Sequence, residues 1–385
     1  MSPHEQRTTI NRRRFLKGAV ALGLTAMSQH LPGGGVNQAQ AADTRVGPEP
    51  PSVRGGVAAD DSDPSLYLPI IRKRGFAAHG GSKLGLHTIR PNGAVAFVQQ
   101  VHDAGASVAL VKALDDFGYL RSVKEISPET VTVARAQAGC VVNVNTEGDP
   151  TAVAHDVMYG SGKYQGHLDR WKYEKDVVDY WEVLNEPAPP TIAGHVWMAE
   201  FYIEVMNIAE ANGYKVALFS FSVGRPKWHD WEAIVETGIF ARAKAGEHIL
   251  ALHEYNWPVS DYRWGEPTED QPPYEDRGVL TGRYRYLYHD FLFPRDEVIP
   301  LAITESGLDP VLRQPDQPET WKERYVETMA WCDTILREDD YVLGTAMFTL
   351  GGIENWKAYD YEELLWPGNT YGDNFLDYIV SLKGG

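Results

Sequence analysis

From Leu84 onward, short β-branched or apolar runs alternate with longer segments whose apolar residues recur at helical spacing. Eight such runs predict strands: Leu84–Thr88, Val108–Lys112, Val131–Arg135, Tyr180–Asn185, Val216–Phe221, Ile249–Tyr255, Ile299–Glu305 and Val342–Thr349. Between them, sets such as Trp321, Tyr325, Val326, Met329, Ile335 and Leu336 share one helix face. A last helix carries Phe375, Leu376, Ile379 and Leu382 behind a capping Asp373. Eight strands, each followed by a helix, predict an α/β fold, a (β/α)8 TIM barrel in a single domain. The alternative, a doubly wound open sheet, usually has fewer strands and a glycine-rich phosphate loop after the first. Here the first strand runs into His87-Thr88-Ile89-Arg90-Pro91-Asn92-Gly93, which is no such loop. The connection after strand six, Trp257 to Gly282, is long and rich in Trp, Tyr, Pro and acidic residues, and on a barrel it would lie over the C-terminal mouth.

The ends add an address. Asn11-Arg12-Arg13-Arg14-Phe15-Leu16-Lys17 leads into an apolar run, Gly18 to Met27, and then Ala39-Gln40-Ala41. This reads as a twin-arginine (Tat) signal peptide over 1–41, its apolar run too short to span a bilayer. Residues 42–66, rich in Pro, Gly and Asp without periodicity, read as a flexible leader, and 67–385 as the folded barrel domain. The expected location is therefore extracellular or periplasmic.

Composition narrows the partners. The net charge of −17, more negative once a basic leader is removed, disfavours nucleic acid and anionic lipid. Two cysteines, Cys140 and Cys332, exclude a disulfide scaffold and are expected as unpaired thiols. No His-Glu-x-x-His, Walker, dinucleotide or Gly-x-Ser-x-Gly pattern occurs, so neither a metal nor a cofactor is expected.

Two strand ends carry a glutamate. Trp181-Glu182-Val183-Leu184-Asn185-Glu186-Pro187 stops at Asn-Glu-Pro, and Ile299-Pro300-Leu301-Ala302-Ile303-Thr304-Glu305-Ser306-Gly307 at Glu-Ser-Gly. Hydrolysis of a glycosidic bond with retention needs two such carboxyl groups, one protonating the leaving oxygen and one attacking the sugar. These segments resemble the clan A retaining glycoside hydrolases, the superfamily with families 5 and 39, whose acid/base ends strand four and whose nucleophile ends strand seven. The strand count above, made without the motif, puts Glu186 on strand four and Glu305 on strand seven.

The resemblance implies Glu186 as acid/base, Glu305 as nucleophile and Asn185 as a hydrogen-bond partner of the sugar 2-hydroxyl. Strand six ends His253-Glu254-Tyr255-Asn256-Trp257, where the clan places a partner of the nucleophile, Tyr255 being the first choice over His253. Lys112, Arg135 and His87, at or near the ends of strands two, three and one, would reach into the mouth or form peripheral salt bridges. Family 5 typically shows an arginine and a histidine near strands two and three, so this chain departs from that pattern. Aromatic platforms for sugar rings are expected at Trp356, then Trp257 and Trp264, and Trp228 and Trp231, several of them serving as packing instead.

The implied activity is hydrolysis of O-glycosyl bonds in an extracellular plant or microbial β-linked polysaccharide, endo-acting. The alternatives are an exo-acting β-glycosidase on oligosaccharides, a retired barrel that only binds carbohydrate, and a metal-dependent barrel hydrolase.

Overall fold

A computed structural model describes residues 81–256, 277–278, 280–309 and 321–383. Eight strands close into one parallel barrel. They are β1 (Leu84–Thr88), β2 (Leu110–Leu114), β3 (Val131–Arg135), β4 (Tyr180–Glu182), β5 (Val216–Phe221), β6 (Ile249–Asn256), β7 (Leu301–Leu308) and β8 (Val342–Leu350). Each strand pairs with its neighbours in sequence, and β8 closes on β1 with Leu84 opposite Thr345. The (β/α)8 barrel is thus what the hydrophobic pattern predicted.

Helices pack outside because each carries an apolar stripe. The helix Ala94–Asp103 buries Ala94, Phe97, Val98 and Val101. The helix Tyr325–Glu338 buries Tyr325, Val326, Met329, Ile335 and Leu336, and a 3₁₀ turn holding Trp321 precedes it. Thr191 caps the long helix Ile192–Ala211 by accepting from Gly194 N–H. No helix among the described residues is long and apolar enough to cross a membrane.

Strand periodicity builds the interior in two layers. Inward positions low in the barrel are small or aliphatic: Leu110, Val133, Ala217, Ile249, Ala251, Ala302 and Ala346 form one buried cluster. Gly85 belongs here because a Cβ on it would sit 2.0 Å from the Leu110 carbonyl oxygen. Two residues further along, the same inward rows turn polar. Gly85 gives way to His87, Leu110 to Lys112, Val133 to Arg135 and Ala251 to His253. A polar layer therefore lies at the strands' C-terminal end.

The structure shifts several boundaries. β2 starts at Leu110 rather than Val108, which puts Lys112 in mid-strand. β4 ends at Glu182, not Asn185: beyond it the Asn185 N–H turns to Val142 O (2.8 Å) and the Glu186 N–H to Ser220 O (3.0 Å). β7 begins at Leu301 because Pro300 has no N–H for the ladder, and it continues past Glu305 to Leu308. The last helix is capped by Asn374, whose side chain accepts from Asp377 N–H, rather than by Asp373. The expected signal, the leader and most of the Trp257–Gly282 connection, with Trp257 and Trp264, lie outside the described residues. Cys140 is buried and Cys332 partly so, and no disulfide joins them.

Candidate active site

The polar layer gathers charged and polar side chains from six strands. Glu305 enters from β7, its Oε1 accepting from Lys112 Nζ at 3.0 Å and Arg135 Nη2 at 3.2 Å. Its Oε2 accepts from the Tyr255 hydroxyl at 2.9 Å. His87, on β1 opposite Lys112, brings Nε2 to 3.7 Å from Oε1. A register shift between Leu252 and His253 aligns His253 on β6 with Glu305 on β7.

Glu186 faces this group from the turn after β4, in the left-handed backbone region (φ 46°). Its side chain keeps 22% exposure against 8% for Glu305, so one carboxyl meets solvent and the other is sunk in charge. His253 Nδ1 lies between them, 3.0 Å from Glu186 Oε1 and 3.5 Å from Glu305 Oε2. One oxygen from each glutamate and this nitrogen lie within 4.8 Å of one another. Asn185 is buried beside Glu186.

One functional group escaped the sequence reading. Glu182, fully buried on β4, places Oε2 2.8 Å from Lys112 Nζ and accepts from Arg135 Nη1 at 3.1 Å. Lys112 and Arg135 therefore each bridge Glu182 and Glu305, and neither is a peripheral surface pair. The signal was the period of two: Tyr180 and Glu182 alternate with Trp181, so a carboxylate had to point into the barrel.

The charges set the protonation states. Burial alone would raise Glu305, but His253, Lys112, Arg135 and His87 outweigh it and hold the carboxyl well below its usual range. His87 is itself held neutral: burial pushes it well below its ordinary value, Lys112 and Arg135 reinforcing, against the pull of Glu305. Burial also works against Glu182, yet Lys112 and Arg135 bring it down to about 2. Glu305 and Glu182 are both anions at neutral pH.

Aromatic rings wall one side. Phe348 on β8 packs 4.6 Å from the His87 ring and edge-on to Tyr255 at 6.1 Å. Trp356 lies in the 3₁₀ turn Glu354–Tyr359, edge-on to Phe348 at 5.4 Å and partly exposed. Tyr359 joins this cluster and donates its hydroxyl to Asp309. The other tryptophans differ. Trp231 is buried among Phe219, Phe221 and Phe240, and Trp228 packs on Phe291 and donates to Asp290, so both are packing residues.

No protein-family profile matches the chain. No curated protein matches it either. Among solved structures it resembles a family 39 glycoside hydrolase from Bacteroides cellulosilyticus, with 11% identity over 80% of this chain and 64% of that one and a TM-score of 0.48. It is also similar to a family 5 glycoside hydrolase from Prevotella bryantii, with 12% identity over 80% and 96% and a TM-score of 0.42. A β-mannanase from Thermomonospora fusca gives 15% identity over 72% and 82% and a TM-score of 0.40. At such identities the activity of this chain has to be argued from its own residues.

Proposed function

We propose that the protein is a retaining β-glycosidase, with Glu305 as nucleophile and Glu186 as acid/base. The observation that carries this reading is the convergence of Glu186, after β4, and Glu305, on β7, within 4.8 Å. Retention calls for carboxyl groups about 5–5.5 Å apart, against roughly 6.5–9.5 Å for inversion with its intervening water. The two environments also suit the two roles. Glu305 is ionised and aligned by Tyr255, Lys112 and Arg135, as an attacking carboxylate must be, while Glu186 meets solvent where a leaving group would depart.

Attack forms a bond from a Glu305 oxygen to the anomeric carbon and breaks the bond to the leaving oxygen, which takes the proton of Glu186. Water, deprotonated by Glu186, then cleaves the glycosyl ester with configuration retained. The charge ledger stays balanced throughout. Before attack, Lys112 and Arg135 face Glu182 and Glu305. Once Glu305 is esterified and neutral, the negative charge reappears on Glu186, with His253 Nδ1 already between the two.

A metal-dependent reaction is the rival, since Glu186, His253 and Glu305 are ligand-type groups in one cluster. An added cation would share Glu305 with Lys112 and Arg135, both near 3 Å, and this repulsion favours the glycosidase. We assign the polymer-directed role and the export route to the same proposal: an endo-acting enzyme on a β-linked polysaccharide outside the cell, with exo action on oligosaccharides as the alternative. Product lengths from a glycan panel separate these. A 2-fluoroglycoside should label Glu305, and mass spectrometry of the peptide reads the added sugar. Normal turnover by Glu305→Gln would overturn the assignment and would leave a carbohydrate-binding barrel as the better reading.

A further inference from the structure

Beyond β4 the chain leaves the barrel ladder, so the backbone groups of the turn that carries Glu186 need partners elsewhere. The Asn185 N–H donates to Val142 O at 2.8 Å and the Glu186 N–H to Ser220 O at 3.0 Å. The Asn185 carbonyl faces the side chain of Asn143, in the loop that joins β3 to the helix Pro150–Tyr159. The Asn143 amide turns its nitrogen toward two carbonyls, donating to Asn185 O at 3.0 Å and Val142 O at 3.3 Å, because an amide oxygen there would face only acceptors. We propose that Asn143 is a positioning residue for the acid/base: it pins the peptide plane between Asn185 and Glu186 and so holds Glu186 in the backbone conformation that brings its carboxyl to Glu305.

That plane is held at both edges, its C=O by the Asn143 side chain and its N–H by the Ser220 carbonyl. Glu186 needs such a hold, because its φ of 46° is a left-handed conformation that a side chain with a Cβ disfavours. A flip of the plane changes ψ of Asn185 and φ of Glu186 in opposite senses, and it is the short route out of that region. Ser220 gives no slack on its side. It is left-handed itself (φ 52°), as is Phe219 before it (φ 74°), where the register between β5 and β6 shifts. Conformations of this kind persist where their surroundings over-determine them, and two of the three holds on this turn are fixed backbone groups. The third is the Asn143 side chain. The bond from the Asn185 N–H to Val142 O lies on the preceding plane, so loss of the Asn143 amide frees Glu186 and leaves Asn185 in place.

The catalytic consequence rests on the glycosidase reading. A general acid must reach the leaving oxygen at hydrogen-bonding distance, so a turned Glu186 loses proton donation first. Glu305 is aligned by Lys112, Arg135 and Tyr255, none of which belongs to this turn. Asn143 is exposed, which separates its role from core packing.

Asn143→Ala removes the donor, and Asn143→Asp keeps the shape but presents a carboxylate to two carbonyls. In both, kcat/KM for aryl glycosides with poor leaving groups should fall about tenfold, the scale of one net hydrogen bond. Substrates with good leaving groups, which need little protonation, should be spared. Equal loss on both substrates, or no loss on either, would refute the proposal. Amide hydrogen exchange followed by NMR reads the clamp without turnover. The Glu186 amide should exchange about tenfold faster in Asn143→Ala than in wild type, while the Asn185 amide keeps its rate; an unchanged Glu186 amide overturns the inference. Turnover by Glu305→Gln would instead sink the glycosidase reading and leave the exchange measurement intact.

Discussion

Replacing Glu182 by glutamine removes one anion from a buried set of four charges and keeps the side chain's shape. Glu182 is wholly buried, with Lys112 Nζ at 2.8 Å and Arg135 Nη1 at 3.1 Å. Each contact corresponds to about 6 kcal/mol of attraction at an effective dielectric near 20, most of it offset by the cost of burying the charges. The net follows from linkage. The carboxyl is held at about 2 against an ordinary 4.5, and a shift of that size is worth about 3 kcal/mol. This agrees with the roughly 3–5 kcal/mol expected when one partner of a buried pair is removed.

Because the folded value is depressed, the stabilisation is complete above about pH 4.5 and fades as pH falls toward 2. Denaturant unfolding of wild type and Glu182→Gln should therefore differ by about 3 kcal/mol from pH 7 to 5, and the gap should narrow below pH 4. A difference under about 1 kcal/mol, or one unchanged between pH 5 and 3, would refute the view that Glu182 anchors the two cations.

Further outcomes follow from single contacts. Tyr255→Phe deletes the hydroxyl bonded to Glu305 Oε2, so Glu305 should titrate higher. The acid limb of kcat/KM should move to higher pH, with a loss of roughly ten- to a hundredfold. Glu305→Gln should lower kcat at least about a thousandfold without changing the unfolding cooperativity. Trp231→Ala should cost about 3–5 kcal/mol in chemical unfolding, since this ring is core and not a sugar platform. Gly85→Ala places a methyl against the Leu110 carbonyl and should leave little soluble folded protein. Replacing Arg12 and Arg13 together by lysine should retain the protein in the cytoplasm, which cell fractionation would show.

Much of the molecule was legible before the fold. Strand and helix identity is a local matter of which residues repeat every two or every 3.6 positions, and that pattern survives in the chain itself. Hence β1, β3 and β5 fall on their predicted residues, and Glu186 and Glu305 stood out by their neighbours in sequence. Boundaries slipped where single backbone groups decide them. Pro300 delays β7, and the carbonyls of Val142 and Ser220 take the N–H groups that would have prolonged β4.

What only closure of the barrel decided is the company each charge keeps. Lys112, Arg135, Glu182 and Glu305 lie on four strands, and no local pattern says whether a strand-end cation meets solvent or a buried carboxylate. Coulomb energy depends on distance in space and on burial, and both are set only once β8 has paired with β1. For the same reason the sequence named the two glutamates, while the placing of the His253 ring between them and of the Glu182 anion behind them belongs to the tertiary structure.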